Sequence, residues 1–459
     1  MRALRLGLLS TCLLLPACKA TPPAHATVVA DAGRPARQLT VLVTGHESGE
    51  LPLRAPRLLQ AWKDTERWPD VVPLSTGDMF SGNALSSRFD GRPTAEVMKA
   101  LGYRAAALGN HDLDLGVPVL SAFLDAAGLT LLAGNVRETQ TGTAPLPAFT
   151  VLEHRGVKLG VVGLTSAKTL YTTGPGRAGG YALTPLAEAL PAAVTGARAA
   201  GAEALVVVLD DCFGSVRPLV SAHPEWGVDA VVGSRCDGPQ ELTDGAVAYA
   251  SVSDDVSAYL SLRVELPADG PHVVTLTRRP VLTEGVEDPD LAALRARWTA
   301  QLKVELGQVI GFTKVAYPAE APALRTLVAT ALRDGAKADA ALINRKGVRA
   351  GLPAGPITRE AVYSMLPFDN AVLTVTVKGE VLQKLKALPE AVLLLPRPLK
   401  PEQDYRLVTT DYVYFDGDGL GFEAAAPNPE LTGQVWQTPV VEWLAKQAST
   451  PQRPLTLKP

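Results

Sequence analysis

Two short turns in this chain carry the kinds of side chain that hold metal ions and phosphates. Ser75-Thr76-Gly77-Asp78 ends on a carboxylate, and Leu108-Gly109-Asn110-His111-Asp112-Leu113-Asp114 supplies an amide, an imidazole and two further carboxylates. Such a mixture suits hard or borderline divalent ions, which activate water and neutralise phosphate charge in transfer reactions. Two later turns, Asp210-Asp211-Cys212 and Gly233-Ser234-Arg235-Cys236-Asp237, add carboxylates, a guanidinium and two cysteines. A guanidinium has no lone pair and keeps its proton, so Arg235 is electrostatically wrong beside a divalent cation and right beside carboxylates.

The elements that must position these turns are short apolar runs, at residues 39–44, 71–75, 105–108, 129–135, 157–164, 204–209 and 229–232. Segments of helical pattern, such as 94–101, 117–127 and 186–200, alternate with them. Short buried strands separated by helices predict an α/β fold, in which ligands collect at the carboxyl ends of strands. Every turn quoted above follows such an end. Near residue 286 the pattern changes: Asp288-Pro289 predicts a capped helix start, Leu291, Leu294, Trp298 and Leu302 share one face, and Gly307 can end the helix. Beyond it, a helix at 324–332 and strands at 340–343, 370–378 and 405–409 predict a second α/β domain.

A chain of 459 residues is long enough for two such domains. Its formal charge of −3 and the absence of any Lys/Arg run argue against a nucleic-acid partner on electrostatic grounds. Residues 1–18 read as an export signal: a charged start, an apolar stretch, then Pro16-Ala17-Cys18. That end resembles a bacterial lipoprotein signal, which implies a lipid anchor on Cys18, with the Ala/Pro/Thr-rich residues 19–38 as a tether. The expected location is therefore the cell envelope, with membrane contact by lipid only. Cys212 and Cys236 then remain, in a compartment that favours disulfides; they could pair, stay as buried thiols, or ligate metal.

The pair Gly77-Asp78 and Gly109-Asn110-His111-Asp112-Leu113-Asp114 resembles the calcineurin-like metallophosphoesterases. Ile343-Asn344-Arg345-Lys346-Gly347-Val348-Arg349, Pro367-Phe368-Asp369-Asn370 and Asp416-Gly417-Asp418-Gly419 resemble the substrate domain of bacterial 5′-nucleotidases and UDP-sugar hydrolases. The resemblance implies a metallophosphoesterase-like layered domain at 39–285, a linker helix at 286–312 and a nucleoside-binding domain at 313–459. It further implies a site with two divalent ions of the Mn, Mg, Ca or Zn class, with Asp78 bridging, Asn110 as ligand, and His111 oriented by Asp114 to stabilise the reacting phosphate. In the second domain it implies Phe368 and Tyr412 sandwiching a base, with Asn344, Arg349, Asn370 and Asp418 bonding base, phosphate and ribose.

The chain departs from the family at the metals. His46 and Ser48 stand where Asp-x-His is usual, and Asp211, Arg235 and Asp237 replace three histidines, so only Asp78 and Asn110 survive of seven ligands. Three arrangements follow: Arg235 standing in for the cation among Asp78, Asp211 and Asp237; a rebuilt single-ion site using His46, Asp78, Asn110, Asp211 and Asp237; or a solvated remnant. The expected function is an exported protein that binds nucleotides or nucleosides with hydrolysis lost or altered, the alternatives being an active phosphoesterase on a rebuilt site and a surface scaffold.

Overall fold

The computed structural model describes residues 37–173, 177–178, 180–252, 254–415 and 419–457. The expected export signal, the Cys18 anchor, most of the tether and Asp418 lie outside the described residues. Two six-stranded sheets build the first half of the chain. In one, Arg37–Thr44, Val72–Ser75, Ala105–Ala107 and Thr130–Leu132 run parallel, and Ala258–Leu266 with Val273–Pro280 close the edge antiparallel. In the other, Val157–Thr165, Ala204–Asp210, Ala230–Gly233 and Val247–Ser251 run parallel, flanked by antiparallel Phe149–His154 and Glu241–Asp244.

Side chains alternate across each strand, and in the central parallel strands both faces are buried. Leu39, Val41 and Val43 meet Val161, Val206, Val208 and Val232 in one cluster between the sheets. On the outer faces, Leu42 and Ala106 lie under the helices Leu51–Thr65, Arg92–Leu101 and Val117–Ala127, and Val162, Leu205 and Val231 lie under Leu186–Ala199. The result is a helix–sheet–sheet–helix sandwich, in which each large apolar side chain contributes about 1.5–3 kcal/mol on burial. Because the parallel strands point the same way, the strand end Asp210 and the turns carrying His46, Asp78, Asn110 and Arg235 all lie at carboxyl ends.

The helix Leu51–Thr65 holds Pro52 in its first turn, where the missing N–H costs nothing, and Pro56 inside it. The later helix Pro289–Leu306 begins where Asp288 accepts a hydrogen bond from the Leu291 amide at 3.0 Å. It packs on the first domain through Trp298, whose ring lies 5.0 Å from Phe89. The second half carries a five-stranded sheet in the order Ala391–Leu394, Ala340–Asn344, Asp404–Thr410, Ala371–Lys378, Glu430–Val435. The helices Pro322–Ala336 and Gln437–Lys446 pack against it through Leu324, Val328, Leu332, Val440 and Leu444. Among the described residues no helix is long and apolar enough to cross a membrane.

Candidate functional site

The turn after Val72–Ser75 and the turn after Ala105–Ala107 fit together through their glycines. A Cβ on Gly109 would come within 2.1 Å of Asp78 Oδ1, and one on Gly45 within 1.8 Å of Thr76 Oγ1. His46, Ser48, Asp78 and Arg235 all hold the left-handed backbone region, with φ between 46° and 58°. Non-glycine residues persist there only where surrounding contacts over-determine them. Those contacts are present: the amides of His46, Ser48 and Gly49 donate to the carbonyls of Gly77, Asp78 and Met79 at 2.8, 2.8 and 3.2 Å. Asp112, fully buried, accepts from the amides of Asp78, Met79 and Gly109 at 3.0, 2.7 and 2.8 Å. Its carboxyl is pushed up to about 7 by burial and by the charge of Asp78, against those three bonds.

Asp78 is fully buried. Its Oδ1 accepts from the His111 amide at 2.9 Å, and its Oδ2 lies 3.5 Å from His46 Nδ1. Arg235 Nη2 donates to both Asp78 Oδ2 and Asn110 Oδ1, while Nε donates to Asp210 Oδ1 at 2.9 Å. Burial alone would raise the pKa of Asp78; the charges of Arg235, His111 and His46 outweigh it and hold the carboxylate well below its ordinary range. Asp210 moves the other way, well above the usual value, through burial and the charge of Asp78. One guanidinium thus bonds two buried carboxyl groups and an amide oxygen.

The structure corrects the expected partners of Arg235. Asp210, not Asp211 or Asp237, is the second carboxyl group. The Ala204–Asp210 strand extends one residue beyond the expected run, so Asp210 pairs with Thr165 and is buried. Asp211 instead accepts from Ser166 Oγ at 3.2 Å, and Asp237 lies on an exposed turn. Ser48, at another replaced ligand position, is buried. Cys212 and Cys236 form a disulfide, which ties the residue two after Asp210 to the residue immediately after Arg235.

His111 Nδ1 and Asp114 Oδ2 are 2.7 Å apart, and Ser81 Oγ donates to the same oxygen at 2.8 Å. Burial would lower the pKa of His111, and the charges of Asp114 and Asp78 raise it. Its ring stacks on Phe368 of the second domain, 4.9 Å between centroids and 10° between planes. One face of the expected base platform is therefore taken by an imidazole. Arg349 lies 5.7 Å from the Phe368 centroid. Phe368 is held from behind, where Trp436 Nε1 and Gln437 Nε2 donate to its carbonyl at 2.6 and 3.0 Å.

A cavity of about 260 Å³ opens between the domains, and His46, Asn110, His111, Asp114, Asn344, Arg349, Phe368, Asn370 and Tyr412 all line it. Asp78 lies beneath its floor. Arg235, Arg177, Lys346 and Thr172 also line it and were not among the expected binding residues. Arg177 bridges the domains, donating to the carbonyls of Asp114 and Asp369.

Whether two metal ions fit is decided by the oxygens of Asp78 and Asn110. Both accept from Arg235, so the two retained ligands of the expected pair serve a guanidinium, and the residues present do not fit a dinuclear centre. His46, Asp78 and Asp210 do offer ligand atoms within 4.8 Å of one another, a group that could hold one ion. Asp210 Oδ2 is buried with no hydrogen-bond partner among the described residues.

Beside the site, Glu47 is fully buried and accepts from Thr44 Oγ1 at 2.6 Å and Ser75 Oγ at 2.9 Å. Burial pushes its carboxyl from 4.5 up to about 8 despite these bonds. The folded chain keeps this proton where the unfolded chain has lost it, so stability falls as pH rises between about 4.5 and 8, at up to about 1.4 kcal/mol per pH unit. Glu47→Gln is expected to flatten that slope in urea midpoints taken across the window; an unchanged slope contradicts the assignment.

Residues 309–391 match the family described as 5′-nucleotidase, C-terminal domain. The chain is 26% identical over 367 residues to a 5′-nucleotidase of Vibrio parahaemolyticus, covering 68% of this chain and 65% of that protein. It is 24% identical over 398 residues to the trifunctional nucleotide phosphoesterase protein YfkN of Bacillus subtilis, covering 74% of this chain and 27% of that one. It thus spans about a quarter of the one relative and just under two thirds of the other. In structure it is similar to a 5′-nucleotidase precursor from Thermus thermophilus, with a TM-score of 0.74 at 21% identity over 92% of this chain and 98% of that one, a likeness that establishes the fold.

Proposed function

We propose, for a chain that belongs to the 5′-nucleotidase family, that it binds nucleotides or nucleosides in the interdomain cavity without the two-metal hydrolysis associated with the family. The observation that carries this reading is Arg235 bonded to Asp78, Asn110 and Asp210. Two-metal catalysis needs cations to activate water and to neutralise the phosphate, and a guanidinium offers no coordination position for that water. Supporting the binding reading, Phe368 and Tyr412 and the polar side chains Asn344, Asn370 and Arg349 line one cavity. Stacking on a base needs only a flat π-face and is worth about 1–3 kcal/mol per base. Since His111 covers one face of Phe368, base entry requires His111 to withdraw or the base to use the space toward Tyr412.

Calorimetric titration with adenosine, AMP, uridine and UMP tests the reading. Binding is expected for at least one base, weakened roughly 5- to 150-fold by Tyr412→Ala. Failure of all four ligands to bind removes it. A second reading, hydrolysis on a rebuilt single-ion site, draws on the His46, Asp78 and Asp210 group. It requires Arg235 to leave Asp78, and Mn²⁺-dependent release of phosphate from AMP would establish it. Export and a lipid anchor complete the proposal, resting on residues 1–18 and on a disulfide suited to an oxidising compartment. The mass of the mature N-terminus checks the anchor, and an unmodified Cys18 contradicts it.

A further inference from the structure

We infer that Arg235 is the phosphate anchor of this cavity, so that a nucleoside monophosphate is held on a guanidinium and binds without any divalent cation. This rests on the nucleotide-binding reading above and names the ligand class within it. Arg235 Nε and Nη2 are committed to Asp210, Asp78 and Asn110, and Nη1 has no hydrogen-bond partner among the described residues. The side chain is 27% exposed and lines the cavity. Its fork is fixed before any ligand arrives: the two carboxyl groups hold the guanidinium, the backbone sits at φ 54°, and the next residue is covalently tied to Cys212. A donor fixed in advance loses little rotamer freedom on binding.

The charge around the cavity suits an anion. Four cationic side chains, Arg177, Arg235, Lys346 and Arg349, face it against one carboxylate, Asp114. Arg235 enters from the first domain, while Lys346 and Arg349 enter from the second. A phosphate gripped from both sides would tie the domains together, and the side-chain cations would neutralise its charge as metal ions do in a two-metal site.

The test is calorimetry in EDTA on the mature chain with AMP, adenosine, UMP, uridine and inorganic phosphate. For whichever base binds, the monophosphate is expected to bind at least about 10-fold more tightly than its nucleoside with no metal present, in line with hydrogen bonds to a charged group. Arg235→Gln is expected to abolish that advantage, bringing nucleoside and monophosphate affinities within about 2-fold of each other. If Arg235→Gln does not fold, as circular dichroism would show, the double variant Arg235→Gln with Asp78→Asn removes the stranded carboxylate and carries the same test. Equal affinity of nucleoside and monophosphate in EDTA overturns this inference and leaves the nucleotide-binding reading standing, as does monophosphate binding that appears only with Mn²⁺. Binding by none of the ligands overturns both.

Discussion

Replacing Arg235 with alanine is expected to lower the stability of the first domain by about 3–5 kcal/mol, the cost of leaving buried ionisable groups without their counter-charge. Asp78 and Asp210 are both fully buried, and Arg235 bonds each of them. In the wild type the guanidinium holds Asp78 ionised; in the variant Asp78 must either stay charged in a dry site or take up a proton. The difference between the two proteins should therefore narrow below about pH 4, where the unfolded chain also protonates its aspartates. Urea unfolding at pH 3, 5 and 7 measures it. The variant should also regain stability on addition of Mn²⁺, because His46, Asp78 and Asp210 become free to ligate it, whereas the wild type should respond little. A loss below about 1 kcal/mol, within the range of an exposed ion pair, would show that Arg235 is not standing in for a cation.

Asp112→Ala should be as damaging, for a different reason. Its carboxyl group accepts three backbone N–H groups from the two turns that carry Asp78 and Asn110. Each buried donor left unpaired costs about 1–3 kcal/mol, so the total for three is on the order of 3–9 kcal/mol. Asp112→Asn, which keeps a carbonyl acceptor and the size of the side chain, should recover roughly half of that. The same denaturation series measures both variants. Equal losses in the two would mean that packing, rather than the three hydrogen bonds, sets the cost.

Much of the frame was legible because local chemistry forces it. Gly77 and Gly109 sit where φ is positive or where a Cβ would strike Asp78, and short buried runs ended by such turns specify strand ends. The helix Leu51–Thr65 was hidden by Pro52 and Pro56, which read locally as breakers although the first helical turn tolerates proline. The choice between Asp210 and Asp211 could not be read, because the strand before them is apolar on both faces and carries no alternation to set its phase. Nothing local marks Glu47; only the packing of Thr44 and Ser75 around it shows a buried acid. The His111–Phe368 stack and the Arg177 bridge join residues 257 and 192 positions apart. No local pattern announces contacts set by how two domains meet.

The central claim is that a side-chain cation occupies the place of the metals while the ligand cavity remains. Metal content by mass spectrometry, on mature protein equilibrated with Mn²⁺ and Zn²⁺ and then desalted, tests it most directly. No stoichiometric divalent ion is expected in the wild type. Two ions retained per chain, with Arg235 displaced from Asp78 and Asn110, would contradict it.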